Sequence, residues 1–465
     1  MLKNSGLCDA ASDMLPAMQA LLRGWFDLEA KGTTIRRELG SGLTTFLTMS
    51  YILAVNPLIL SAAGMEKEAV FFATAVSAGI TSILMGLFVN VPVALAPGMG
   101  LNAYFVSVVL GSDGAISYQM ALAAVFFSGL IFLLLTLTKI RPLLVDAFPE
   151  SLKLGIGAGI GLFLIFIGFK GSGLLSVLAQ QSAESGDVLE NWAVQPGNLQ
   201  QASVYLGLLG LLLVGVGSVL RWNFSILLTI AILTFLSILV GETAMPDPES
   251  FWKPRISTAH LLALDIPGAL ELGLLSIIFT FTFVELFDSF GTLVATLRKA
   301  GIQGEEEKKV IGKAMIVDAT GISLGALLGT STVTAYIESA SGIASGGRSG
   351  LSAITTGTLF VASLLFSGLI LLVPASATAP VLIFVGMLML TSLSRLSFEK
   401  PEEWVPALLT VLFMPFTYNI ASGIAVGVLS YVILASVAGR IREIHWLLWA
   451  VTGLIVLRYS AGGMH

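Results

Sequence analysis

The sequence predicts an all-α polytopic membrane protein of about 14 spans, built as two inverted 7-span repeats whose third and tenth spans are discontinuous and carry short extended segments. Three observations carry this reading. Of 465 residues, 55% are hydrophobic and only 11% charged, with a mean hydropathy of +0.91, too few polar side chains to cover a water-facing surface. Apolar runs of membrane length recur along the whole chain. Two short interruptions, Val93 to Phe105 and Gly329 to Ser339, each begin extended and turn helical, as a broken membrane helix does when its half-helix faces a cavity. Asn102-Ala103-Tyr104 overlays on Thr334-Ala335-Tyr336 at an offset of 232 residues (334 − 102), about half the chain, as an internal duplication would give.

In chain order, span one runs from about Leu39 to Met65, with the hydroxyl-rich stretch Thr44 to Tyr51. Span two covers Ala69 to Val89, the broken third Val93 to Leu110, and the fourth Gln119 to Thr138. Lys153 to Phe169, with its ladder of Gly155, Gly157, Gly159 and Gly161, is the fifth. Gly171 to Gln201 is a polar loop; spans six (Ala202 to Leu220) and seven (Phe224 to Val240) meet at the tight Arg221-Trp222-Asn223 connection, and a second polar loop covers Glu242 to Pro267. The second half repeats the plan: span eight from Leu270 to Leu297, nine from Val310 to Leu328, the broken tenth, eleven from Gly350 to Val373, twelve from Ala379 to Leu393, a short thirteenth from Trp404 to Met414, and fourteen from Asn419 to Val437. Trp446 to Leu457 is short for a crossing and is expected at the interface.

Basic residues set the orientation. With a cytoplasmic N-terminus, the outward connections hold Lys67, Lys253 and Arg255, plus Lys170 at a span end, while the inward ones and the tails collect Arg36, Arg37, Lys139, Arg141, Arg221, Arg298, Lys299, Arg348, Arg395 and Arg440 among others. Both termini are therefore expected inside a cell membrane. The net charge of −5 is uninformative about partners and no nucleic acid is expected. The lone Cys8 and the scattered His260, His445 and His465 offer neither a disulfide nor a metal set, and no cofactor is expected. Asp9, Asp13 and Arg23 interrupt any apolar run that could serve as a cleavable leader.

Charges inside spans cost about 2.5 to 3.5 kcal/mol each on insertion scales, so the four present need a reason. They are Glu285 and Asp288, three apart on one helical face of span eight, Asp318 in span nine, and Glu338 in the broken tenth. None has a basic residue at matching depth, and carboxylates in such a site can bind and release protons. The alternative for Asp318 and Glu338 is to accept hydrogen bonds from the N–H groups of a broken helix; for Asn102 it is an interhelical clamp, and for Tyr104 and Phe105 packing. Gly98-Met99-Gly100 lacks the strand and helix context of a nucleotide loop.

The stretches Ala96 to Phe105, Leu286 to Thr292 and Gly329 to Gly342 closely resemble the AzgA-like adenine/guanine/hypoxanthine permeases of the nucleobase-ascorbate transporter family, over about Phe26 to Arg458. The resemblance implies a secondary active transporter for proton-coupled uptake of purine nucleobases by alternating access. It implies a cytoplasmic segment over 1–38, a core domain over 39–138 (spans one to four) and 268–374 (eight to eleven), a gate domain over 139–267 (five to seven, with loops) and 375–441 (twelve to fourteen), and an interfacial segment over 442–465. Asn102, Glu285 and Glu338 match its purine contacts, and Asp288 an acid tied to proton-linked translocation, with Asp318 in support. Thr334 and Phe105, beside the breaks, complete the expected substrate set. Family members carry Asp where this chain has Glu285, and alignment with uracil and xanthine carriers would instead put Asp288 on the substrate. The implied partners are a purine base, protons and the lipid bilayer; a homodimer is compatible with this plan.

Chemistry agrees with a nucleobase. A neutral purine edge presents N–H donors and ring acceptors, which carboxylates and a two-way amide such as Asn102 can meet. An inverted-repeat anion carrier, or a uracil or xanthine carrier, is the runner-up; a channel would need a continuous polar pore, and an intramembrane enzyme a metal pair or an activated nucleophile. The preferred purine is left open.

Overall fold

A computed structural model describes residues 20, 22–112, 114–138, 147–180, 191–198, 200–222, 224–245, 254–271 and 274–460. Cys8, Asp9, Asp13, Lys139, Arg141, Asn223, Lys253 and His465, most of the expected N-terminal segment and the middle of the Gly171 to Gln201 connection lie outside the described residues.

The first expected span is two helices, α1 (Ile35–Met49) and α2 (Ile52–Ser61). Thr34 caps α1 by accepting from the Arg37 N–H at 3.3 Å. The break after Met49 has a local cause: the Thr48 and Ser50 hydroxyls bond back to the carbonyls of Thr45 and Leu47 at 2.9 and 3.2 Å, offering the backbone an alternative to the helical ladder. Helix α3 (Lys67–Leu84) runs into one π-turn, Met85–Val89, and stops at left-handed Asn90 with φ 57°. Strand β1 (Leu95–Pro97) and helix α4 (Met99–Leu110) form the first broken element, followed by α5 (Tyr118–Leu137) and α6 (Glu150–Gly171).

The Gly171 to Gln201 connection, read from sequence as a loop, contains an antiparallel hairpin of β2 (Leu175–Gln180) and β3 (Asn191–Pro196). Ladder pairing satisfies the polar backbone there. Helices α7 (Ala202–Val219), α8 (Ser225–Leu239) and the short α9 (Ile266–Glu271) lead into the second half. There α10 (Leu275–Lys299) and α11 (Gly304–Leu328) precede β4 (Val333–Ala335) and α12 (Ser339–Ala344). Helices α13 (Gly350–Ala362), α14 (Ser367–Ile370), α15 (Ala375–Leu390), α16 (Pro401–Phe416), α17 (Ile420–Val437) and α18 (Trp446–Ser460) complete the chain, the last longer than the apolar run suggests. Among the described residues, ten helical segments are long and apolar enough to cross a membrane. Four expected segments are short in the structure: α4, α8, α12 and α16. Large apolar side chains such as Leu134, Leu212, Val219, Phe235 and Val437 point outward, as lipid contact requires.

Packing repeats between the halves. Helix α3 packs on α13 and α11 on α5; α1 packs on α13 and α10 on α5; α6 packs on α16 and α15 on α7. Each pair is the counterpart of the other when an element is replaced by the one seven spans away, and β1 against β4 and α6 against α15 map onto themselves. Glycines permit the closest crossings. A Cβ on Gly161 would lie 2.7 Å from the Gly386 carbonyl oxygen, so α6 and α15 touch backbone to backbone. The connection before α9 is also bound down: Leu262 N–H donates to Leu327 C=O at 2.8 Å, and the Glu66 N–H donates to His260 Nε2 at 2.8 Å.

Candidate functional site

Strands β1 and β4 pair antiparallel at the centre of the molecule, with Leu95 opposite Ala335, Ala96 opposite Thr334 and Pro97 opposite Val333. This three-residue ladder is extended by the Gly98 N–H donating to Thr332 C=O (2.9 Å) and the Tyr336 N–H donating to Ala94 C=O (3.0 Å). The Tyr336 hydroxyl donates to Pro97 C=O, stitching the same junction. Backbone that is neither helical nor wet thus finds partners across the junction, as breaking a helix inside a bilayer requires. The approach at Gly98 is close: a Cβ there would come 3.0 Å from Thr334 Cγ2, so the methyl would have to shift by a few tenths of an ångström to admit one.

The half-helices are capped by Gly98 and Glu338, 240 positions apart (338 − 98), so the overlay of Asn102 on Thr334 is displaced from the structural equivalence. The strands themselves stand 238 positions apart (333 − 95), and the three-residue link of Tyr336, Ile337 and Glu338 between β4 and α12, against one residue between β1 and α4, adds the other two.

A cavity of about 810 Å³ opens beside this junction. Glu338, Asp288 and Thr334 line it, with Tyr51 and Thr48 from the broken first span and Ile160, Phe384 and Met389 from α6 and α15. Its mouth is bordered by Arg221 in the connection between α7 and α8 and by Arg395 after α15, both exposed. Glu338 is half-buried; one carboxylate oxygen accepts from the Tyr51 hydroxyl at 2.7 Å, leaving the other available.

The remaining expected residues are not among those lining the cavity. Asp318 is fully buried and holds two neighbours, accepting from the Ser289 hydroxyl at 2.5 Å and from the Ala335 N–H of β4 at 2.9 Å. Ser289 in turn meets the Thr334 hydroxyl at 2.8 Å. Glu285 is fully buried beside the hydroxyls of Thr332 and Thr334. Asn102 is enclosed in a polar hub: its Nδ2 donates to Asn56 Oδ1 at 2.6 Å and its Oδ1 accepts from Ser331. Asn56 Nδ2 donates to the Thr74 and Thr330 hydroxyls at 2.7 and 2.8 Å, so four spans meet at one amide. Phe105 is fully buried among apolar side chains.

Three contributors escaped the sequence reading. Tyr51 lies inside the hydroxyl-rich stretch that the sequence singled out, and its position at the helix break is what turns it toward Glu338. Asn56 carried a usable signal, an amide within an apolar run beside Pro57. Ser289 carried none, because serine is common where membrane helices pack closely. Among the described residues no group of His, Cys, Asp and Glu side chains could hold a metal ion.

A family model described as Permease family (Xan_ur_permease) matches residues 36–426. The adenine permease AdeQ of Escherichia coli (strain K12) is 43% identical over 434 residues, covering 93% of this chain and 95% of its own. The guanine/hypoxanthine permease PbuG of Bacillus subtilis (strain 168) is 40% identical over 448 residues, covering 94% and 99%. Among solved structures, the transmembrane domain of the cyanobacterial bicarbonate transporter BicA aligns with a TM-score of 0.59 at 16% identity, covering 83% of this chain and 97% of that one. SLC26A9 aligns with a TM-score of 0.63 at 12% identity, covering 94% and 72%. At such identities the likeness speaks for the fold alone. The chain belongs to the Permease family, alongside these adenine and guanine/hypoxanthine permeases, and is a multi-pass membrane transporter rather than an enzyme.

Proposed function

We propose that this transporter imports purine nucleobases with protons by alternating access, binding the base at the inner end of the cavity beside the β1–β4 junction. The observation that carries the reading is the meeting of Glu338, Asp288 and Thr334 in one concave site with no basic side chain beside them, the two lining arginines standing at the mouth. Its volume falls within the roughly 300–1,000 Å³ typical of small-molecule pockets. Carboxylate oxygens accept from purine N–H groups, and Met99 and Gly100, which line the same cavity, begin a helix whose first N–H groups lack intrahelical acceptors. An anion would meet two carboxylates, which is why the anion-carrier alternative is set aside.

In this reading Asn102 and Asn56 hold the half-helices in register behind the base, Glu285 and Phe105 are buried behind the cavity lining, and Asp288 and Asp318 carry the proton. The fourteen-segment plan follows the packing symmetry, with spans one to four and eight to eleven as core and five to seven and twelve to fourteen as gate. With both termini cytoplasmic, as the lysine and arginine bias favours, the mouth at Arg221 and Arg395 faces inward. The test is competition of radiolabelled hypoxanthine uptake by adenine, guanine, uracil, inosine and bicarbonate. Purine bases should compete and inosine should not; displacement by bicarbonate, or by no base at all, would overturn the assignment.

A further inference from the structure

The geometry points to Ser289 as a proton-linked positioning residue that switches the Thr334 hydroxyl between acceptor and donor toward the cavity. This rests on the proposed function and supplies the link between its two ligands. Asp318, Ser289 and Thr334 form a hydroxyl chain, 2.5 Å from Ser289 Oγ to Asp318 Oδ2 and 2.8 Å from Ser289 Oγ to Thr334 Oγ1; Thr334, which also neighbours Asp318 and Glu285 directly, is the member of the three that lines the cavity. The other Asp318 oxygen is committed to the Ala335 N–H, so Ser289 holds the oxygen that is left to exchange a proton.

Each hydroxyl has one hydrogen, and that decides the direction of the chain. With Asp318 ionised, Ser289 must donate to it, Thr334 must donate to Ser289, and Thr334 offers the cavity lone pairs alone. A proton arriving from hydronium in the cavity binds Thr334 Oγ1, which passes its own hydrogen to Ser289, which passes its own to Asp318. One O–H bond forms and one breaks at each hydroxyl; the carboxylate becomes a carboxylic acid and the hydronium becomes water. The chain is left reversed: Asp318 donates to Ser289, Ser289 donates to Thr334, and the new Thr334 O–H points into the cavity. Thr334 then complements a ring nitrogen or carbonyl of a purine, while Glu338 accepts from one of its N–H groups. A base therefore binds better when Asp318 is protonated, and by reciprocity raises the affinity of Asp318 for that proton, which is the thermodynamic content of symport. The other titratable groups facing the chain are Glu285 and Asp288 on α10; Glu285 is excluded from the cavity and Asp288 faces it, so neither replaces the link through Ser289.

The experiment measures hypoxanthine Kd against pH on purified protein, for wild type, Ser289→Ala, Ser289→Thr and Asp318→Asn. Wild-type Kd should rise with pH, by up to about tenfold per unit where one proton is linked. Ser289→Ala should flatten the profile, Ser289→Thr should restore its slope, and Asp318→Asn, whose amide donates to Ser289 permanently, should bind tightly without pH dependence. A wild-type slope in Ser289→Ala overturns the inference. Where Ser289→Ala fails to fold, Thr334→Val cuts the next link and must flatten the profile too. A substrate-free readout separates this from failure of the purine reading: the protonated-carboxyl infrared band lost in Asp318→Asn should exchange with deuterated water more slowly in Ser289→Ala than in wild type, and equal rates overturn the relay.

Discussion

Glu338→Gln is the sharpest test of the base site, because the structure fixes one carboxylate oxygen on Tyr51. One accepts from the Tyr51 hydroxyl at 2.7 Å. After substitution, Tyr51 still finds an acceptor in the amide oxygen, which forces the NH2 toward the cavity. A purine N–H that met a carboxylate then meets a donor. The lost interaction is a hydrogen bond to a charged group, about 1.5–3 kcal/mol, so Kd for hypoxanthine should rise about ten- to a hundredfold. Tyr51→Phe makes the companion experiment: it keeps the carboxylate but lets it rotate, at roughly 0.5–1.5 kcal/mol, or about two- to tenfold in Kd. Equilibrium binding of radiolabelled hypoxanthine to detergent-purified protein at fixed pH reads both. Wild-type affinity in Glu338→Gln, or a larger loss in Tyr51→Phe than in Glu338→Gln, would refute the assignment of this carboxylate to the base.

Asp288→Asn should bind hypoxanthine yet fail to accumulate it in proteoliposomes under an imposed proton gradient; accumulation at the wild-type level would remove Asp288 from coupling. Asn56→Leu removes the amide that joins Thr74, Thr330 and Asn102, and leaves buried groups without partners at about 1–3 kcal/mol each, so the melting temperature should fall in a thermal-shift measurement. The His260 ring accepts from the Glu66 N–H at Nε2, and burial holds its pKa below the usual histidine value against the opposing charge of Glu66. The neutral form is thus favoured by folding: its contribution is complete above the unfolded value of about 6.5 and is lost as pH falls from there through the lowered folded value. Wild type should therefore lose its melting-temperature advantage over His260→Gln, whose amide oxygen accepts at any pH, only on the acid side. Gln195→Cys, at an exposed position of β3, should react with a membrane-impermeant maleimide in intact cells; labelling only after permeabilisation would reverse the orientation.

Length, apolarity and the expense of buried charge are local properties, and they sufficed to mark an all-helical membrane chain, locate the two breaks and single out Glu285, Asp288, Asp318 and Glu338. What each of those acids faces is not local. Glu285 and Asp288 are three residues apart on α10, yet three residues still rotate a helix by roughly 300° and advance it about 4.5 Å. That displacement is enough to put Asp288 in the cavity and leave Glu285 buried beside Thr332 and Thr334. The same limit hid the partners that reach across the chain: Tyr51 to Glu338, Asn56 to Thr330, and the pairing of Ala96 with Thr334. Each joins segments more than two hundred residues apart, and a hydrogen bond tolerates an error of only a few tenths of an ångström. Only the packing of both halves around the β1–β4 junction sets distances that finely, and so only the tertiary structure decided which of the sequence's polar residues line the cavity and which are enclosed behind it.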